Sequence, residues 1–229
     1  MSQSHKQDGI SQTVLWPFWF AGKLLLSILL LSLLSQIICV GAYHFQAKGR
    51  LDGEVVPITP QYMNALVDRA EQHAAFGVIS EQIAKTNYGL WFKLSGIDTA
   101  AQRRDSSRLM DRIVLQHPAH FLVGMHAASL FGLRLGNVLT FIPLMLLIIG
   151  LATIDGLVER KIRTACAGHE SATKFRFARR FAYTLLPPII GIVFLCLPID
   201  LDVGEVVFPA LLITAVLVRM KWTYYKKHW

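Results

Sequence analysis

Histidines at 117, 120 and 126, an adjacent His169–Glu170 pair, and Asp200, Asp202 and Glu205 in one short turn could each support chemistry. His117 and His120 are three apart and could share a helix face, which is half of a metal site. No carboxylate or cysteine completes the set, and Pro118 interrupts the helix between them, so a pair of interface-facing histidines is expected. His169 and Glu170 could exchange a proton, but adjacent helix positions diverge, and capping or ion pairing fits them better. The three carboxylates could hold a divalent cation. Their ligand set is incomplete, and an acidic turn carried across a membrane accounts for them. No metal and no cofactor is therefore expected. The chain contains no GxxxxGK[ST], GxSxG, HExxH or GxGxxG. It cannot itself be an ATP-driven motor, and it is not expected to be an enzyme.

The charged residues that do cluster are basic. Residues 155–180 carry Arg160, Lys161, Arg163, Lys174, Arg176, Arg179 and Arg180, against Asp155, Glu159 and Glu170. A second group, Arg219, Lys221, Lys226 and Lys227, is interleaved with Trp222, Tyr224, Tyr225 and Trp229 at the C-terminus. Such residues can neutralise anionic headgroups at a membrane surface or steer an acidic protein partner. These eleven cations are the candidate docking residues.

Long apolar runs position them. The 229 residues are 53% hydrophobic and 17% charged, with mean hydropathy +0.44. That balance, and the blocking of the apolar residues into runs, describes an integral membrane protein. The net charge of +8 falls mostly on the segments flanking those runs. Short basic loops stay on the cytoplasmic side. Direct nucleic-acid binding is not expected from charge placed in this way. Cys39 and Cys196 lie in apolar runs and Cys166 in the basic loop, with no CxxC spacing, so no disulfide framework is expected.

The resulting organisation is a tail and interface anchor over 1–23, a first span over 24–43, and a helical region over 44–118. A helix over 119–136 lies at the outer interface or extends the next span. The second span covers 137–154, the basic loop 155–180, the third span 181–198, a hairpin 199–204, the fourth span 205–219, and a basic tail 220–229. Twenty apolar residues cover about 30 Å, the thickness of the hydrocarbon core. The acidic hairpin and basic loop agree on orientation: both termini cytoplasmic and 44–118 periplasmic, in the inner membrane of a bacterium. Arg134 is tolerable if it snorkels to the outer interface. The fold class is all-α: four transmembrane helices with a small helical periplasmic region between spans one and two.

Within 44–118, Thr59 followed by Pro60 predicts a helix start, Ser80 a cap for a second helix to Leu94, and Asp98 a cap for a third ending before Pro118. A region of that size is marginal as an independent core and should lean on the membrane helices. Ser32, Ser35 and Gln36 in the first span either contact another helix or bond to their own backbone.

Asp155-Gly156-Leu157-Val158-Glu159-Arg160, Ala167-Gly168-His169-Glu170-Ser171 and Ala178-Arg179-Arg180, followed by a span and a hairpin at Pro198, resemble the integrating conjugative element membrane protein family. His169 stands where Arg is common in that family. The family is encoded in bacterial conjugative transfer regions, beside the coupling ATPase and type IV secretion components. The resemblance implies a non-enzymatic inner-membrane component of a conjugative DNA-transfer apparatus, scaffolding or docking the coupling ATPase. Anionic lipid, other transfer membrane proteins and further copies of the chain are the expected partners. The alternative is a small membrane transporter or channel. A transporter should carry ionisable groups near the middle of its spans, and these spans hold none between their ends.

Overall fold

The computed structural model describes residues 4–50, 57–73, 77–98, 114–166 and 186–224, with the side chains of 4–18 and 186–190 left aside. Every regular element among them is helical: α1 (Ser4–Ala47), α2 (Pro60–Gln72), α3 (Gly77–Tyr88) with a π-helical continuation (Gly89–Lys93), α4 (Pro118–Thr140), α5 (Ile142–Ala165), α6 (Leu186–Cys196) and α7 (Val203–Thr223). The all-α class follows directly.

The 44 residues of α1 make it about 66 Å long. The polar residues from Ser4 join this helix instead of forming a separate tail, because a helix already nucleated by an apolar run propagates at little cost. In α2, the Thr59 side chain accepts a hydrogen bond from the Tyr62 N–H and Pro60 occupies the first turn, as the sequence predicts. Ser80 behaves differently from expectation. It lies inside α3, fully buried, and its hydroxyl donates to Asn137 Oδ1 at 2.6 Å, so it joins two helices and caps none. The expected third helix falls largely outside the described residues. At its near end, the Tyr88 hydroxyl donates to Asp98 at 3.0 Å.

Four helices are long and apolar enough to cross a membrane: Trp19–Ala47, Pro118–Thr140, Ile142–Ala165 and Val203–Thr223. Their surroundings differ sharply. In the most apolar stretch of α4, 61% of residues are buried inside the protein, against 6% for α5 and 17% for α1. The apolar surface of α5 is turned outward over its length, from Ile142 to Ile162. Such an outward apolar surface fits a helix that crosses a membrane. By contrast α4 is sheathed by α1, α2 and α3.

The chain thus divides into two tiers. In the first, α4 is the axis. Met63 and Leu66 of α2, Cys39 of α1, and Val123, Ala127 and Leu130 of α4 form one apolar core. Along its other side α3 runs antiparallel to α4, pairing Ser80 with Asn137 and Asn87 with the Ala128 carbonyl. In the second tier α5 and α7 run parallel, touching at Phe141–Phe208 near their starts and at Asp155–Arg219 near their ends. There α6 joins α1 where the Cys196 thiol donates to the Leu31 carbonyl at 3.7 Å. A second core, Phe194, Val203 and Val207, seals α6 and α7 against Val138, Phe141 and Met145.

The break between α4 and α5 falls at Phe141, not at the expected 136–137 boundary. Pro143 occupies the first turn of α5, where its missing N–H costs nothing, so the new helix starts there. Residues 119–136 are consequently the buried axis of the first tier. The described part of the expected basic loop, up to Ala165, is a continuation of α5.

Burial, then the hydrogen bond to Asp98, then the Asp98 charge, push the Tyr88 phenol up to about 12. Its neutral form is the one the fold favours. The associated stability is present below about pH 10, the ordinary phenol value, and is lost as pH rises through about 12. An alkaline absorbance titration should show a phenol ionising near 12 that disappears in Tyr88→Phe; an unchanged titration curve would refute the assignment.

Candidate functional site

The parallel pairing of α5 and α7 brings two basic segments to one end of the molecule. It does so through a glycine: a Cβ on Gly156 would stand 2.7 Å from the Arg219 carbonyl oxygen and 3.0 Å from Trp222 Cβ. Only a residue without a side chain lets the backbones approach this closely. Arg219 then reaches Asp155 at 2.6 Å and Glu159 at 3.2 Å. Glu159 also receives Arg163 at 2.6 Å and the Thr223 hydroxyl at 3.4 Å. The Arg163 guanidinium lies over the Tyr224 ring at 4.4 Å, and Lys221 lies over Trp222 at 5.1 Å.

Of the eleven expected docking residues, Arg160, Lys161, Arg163, Arg219 and Lys221 fall among the described residues and share this end. Lys174, Arg176, Arg179, Arg180, Lys226 and Lys227 lie outside them. Arg163 and Arg219 are latched to carboxylates that the sequence presents as a minority. Asp155 and Glu159 are thus organisers of the basic end. The i, i+4 spacing of Glu159 and Arg163 was a legible signal for part of this. These pairs sit at partly exposed side chains, with the Arg219 side chain 51% exposed. Each contributes little to stability and mainly fixes orientation. With five cations against two carboxylates, this end stays positive over the described residues.

A second polar site joins the two tiers. Arg134, expected to snorkel to an interface, is instead 3% exposed. Its guanidinium donates to the carbonyls of Phe194 at 2.7 Å, Leu197 at 2.6 Å and Ile199. These carbonyls belong to the last turn of α6 and the residues after it, where a helix leaves its acceptors unpaired. Arg134 therefore caps the C-terminus of α6, with the favourable sign for the helix dipole. A cleft of about 380 Å³ opens beside it, between α2 and the hairpin that precedes α7. Across that cleft Arg69 of α2 pairs with Asp200. One of the three hairpin carboxylates is therefore committed to holding the first tier on the second. Burial, followed by the Asp200 charge, raises the Tyr62 phenol at the cleft's edge.

The histidines come together in part. His120 Nε2 lies 3.3 Å from Nδ1 of His44, and the His117 ring stands 5.4 Å from the His120 ring. His44 was not anticipated, since it reaches the pair from α1 across 76 positions. His126 stands apart, and among the described residues no His, Cys, Asp and Glu cluster could hold a metal ion. Ser32 is a helix-contact residue: it donates to Asn87 at 2.9 Å and accepts from the Trp91 indole at 3.1 Å.

The model of the DtrJ-like family, described as IncC plasmid conjugative DNA transfer protein DtrJ-like, matches residues 51–226. No curated protein and no solved structure matches the chain. The matched stretch takes in α2 to α7, with the Arg134 cap and the described basic end, and leaves α1 outside it. It agrees with the conjugative transfer setting that the motifs at 155–180 imply.

Proposed function

The chain belongs to the DtrJ-like family of conjugative DNA transfer proteins, and on that premise we propose that it is a non-enzymatic scaffold of the transfer apparatus in the bacterial inner membrane. Its basic end faces the cytoplasm and docks an acidic surface of a transfer partner, the coupling ATPase being the favoured one. The region over 44–118, with α2 and α3, stands on the periplasmic face. Anionic lipid flanks the basic end, and other copies of the chain are further candidate partners.

The observation that carries this reading is the convergence of α5 and α7. It places Arg160, Lys161 and Arg163 beside Arg219 and Lys221, on a frame held by Asp155 and Glu159. A charge cluster fixed on paired helices speeds encounter with an opposite surface and biases its orientation. The buried polar residues fit the same role: Arg134 bonds to the end of α6 across the two tiers, while Asn137, Asn87, Ser80 and Ser32 bond α1, α3 and α4 to one another within the first.

Lipid anchoring alone predicts that only the number of cations matters, at about 1 kcal/mol each near an anionic surface. Protein docking depends on the forked geometry of arginine as well. The test substitutes Arg176, Arg179 and Arg180 together, once by Lys and once by Ala. Docking predicts that both variants insert normally, lose capture of the coupling ATPase, and lower transfer frequency by at least about tenfold, the equivalent of 1.4 kcal/mol. A Lys variant that behaves like the parent, with an Ala variant defective only in insertion, would make the segment a lipid anchor and end the docking reading.

A further inference from the structure

We propose that the groove between α1, the π-helical segment and the start of α4 is a phospholipid site, holding one acyl chain and presenting Gln36 to the ester region. It needs only that α1 crosses the membrane and is independent of the docking reading.

The groove encloses about 580 Å³, within the roughly 300–1,000 Å³ typical of small-molecule sites. Its wall is almost wholly apolar: Leu33, Ile37 and Val40 from α1, Phe92 from the π-helical segment, and Phe121 from α4. It is continuous with the outward face of α1, where Leu30 and Ile37 are 58% and 59% exposed and Leu33 and Leu34 stand beside them. In a helix that crosses a bilayer, such a face meets acyl chains, so the groove opens onto lipid. An isolated apolar residue would mean nothing, but a concave apolar site continuous with a lipid-facing stripe has a natural occupant.

Two polar features give the occupant a chemical direction. Gln36 lines the groove, and its Nε2 is buried with no hydrogen-bond partner. An amide donor buried without an acceptor is costly, whereas an ester carbonyl oxygen arriving in the groove supplies one after rotation of the side chain. Gln36 lies two helical turns below His44, about 12 Å along α1. There His44 and His120 form the polar rim, joined through His44 Nδ1 and His120 Nε2 at 3.3 Å. Along α1 the groove wall is thus apolar from Leu33 to Val40 with one amide set into it, and the imidazole pair closes its upper end. An acyl chain fits the apolar wall, and its ester carbonyl can reach the amide.

Gly41 supplies a clean test because a Cβ built there meets nothing within 4 Å, so a large side chain can fill the groove without shifting the backbone. The full chain would be purified in mild detergent, washed extensively, and examined by native mass spectrometry and phosphorus assay. The parent is expected to retain a single phospholipid. Gly41→Trp should retain at least about tenfold less with unchanged helix content, and Gln36→Leu should retain an intermediate amount. A photo-crosslinker at Ile37 in intact membranes checks the occupant directly and remains decisive if Gly41→Trp misfolds. A lipid-sized adduct supports the proposal. An adduct with a second copy or another protein would overturn it, as would full lipid retention in a folded Gly41→Trp.

Discussion

Arg134→Met is expected to destabilise the protein more than any substitution at its exposed ion pairs, by about 3 kcal/mol, because it strips three carbonyls of their donor at once. Hydrogen bonds from a charged donor contribute about 1.5–3 kcal/mol each, and the guanidinium makes them to Phe194, Leu197 and Ile199. The sum is offset by the cost of keeping a cation away from water, which the Met variant no longer bears. The net remains a loss, since the acceptors at the end of α6 stay buried with nothing to replace the fork. Arg134→Lys should recover less than half, because one ammonium cannot span carbonyls that a planar five-donor group reaches together. Thermal unfolding in detergent reads the first effect. The second readout is local: Cys196 is buried at the same helix end, so a thiol reagent should modify it faster in Arg134→Met than in the parent. A Met variant that melts with the parent and leaves Cys196 protected would show that the hairpin is held by other contacts.

The importance of that residue was not legible in the sequence. An arginine at the edge of an apolar run reads as a snorkelling side chain, since sequence alone reveals flanking polarity and no tertiary neighbours. Its acceptors are backbone atoms 60 to 65 positions away, and backbone carbonyls carry no sequence signature. Ser80, Asn87 and Asn137 were opaque for the same reason. Ser80 was expected to cap its helix because serine does so locally, yet it lies within the first turn of α3, buried against Asn137. The all-α class and the Thr59–Pro60 helix start were legible, the latter because it depends on neighbours within a single turn. The burial of α4 was not legible: the stretch read as an interfacial or span-extending helix, whereas its small residues let α3 cover it.

The conjugative setting was legible through the motifs at 155–180 and is shared with the family matched over residues 51–226. The two carboxylates that frame the basic end were visible as charges and discounted by sign. Charge counting averages over positions, whereas the parallel pairing of α5 and α7 gives Asp155 and Glu159 defined partners. The groove beside Gln36 could not have been anticipated at all, since its walls come from three separate segments of the chain.

The small residues of α4 carry the second large expectation. Gly132→Ala and Gly136→Ala should each cost about 2–3 kcal/mol, although alanine is the better helix former by nearly 1 kcal/mol. At Gly132 an added Cβ would stand 2.5 Å from Ala84 Cα and 3.0 Å from its amide nitrogen. At Gly136 it would strike Ser80 Cα. Backbone atoms cannot rotate away as a side-chain end can, so α3 must move off α4 as a unit. That displacement stretches the Ser80–Asn137 bond at 2.6 Å and the Asn87–Ala128 bond at 2.7 Å, and it leaves buried polar groups unpaired. One displacement relieves both clashes, so the double substitution should cost clearly less than the sum of the singles, a coupling expected only if both glycines serve the same contact. Gly150 and Gly22 provide the control, since a Cβ there meets nothing within 4 Å and alanine should be neutral or stabilising. Unfolding of the four single variants and the double variant in one detergent decides the matter. Additive costs at 132 and 136, or equal costs at all four positions, would mean that helix propensity or lipid contact governs these glycines and that α3 does not lie against α4.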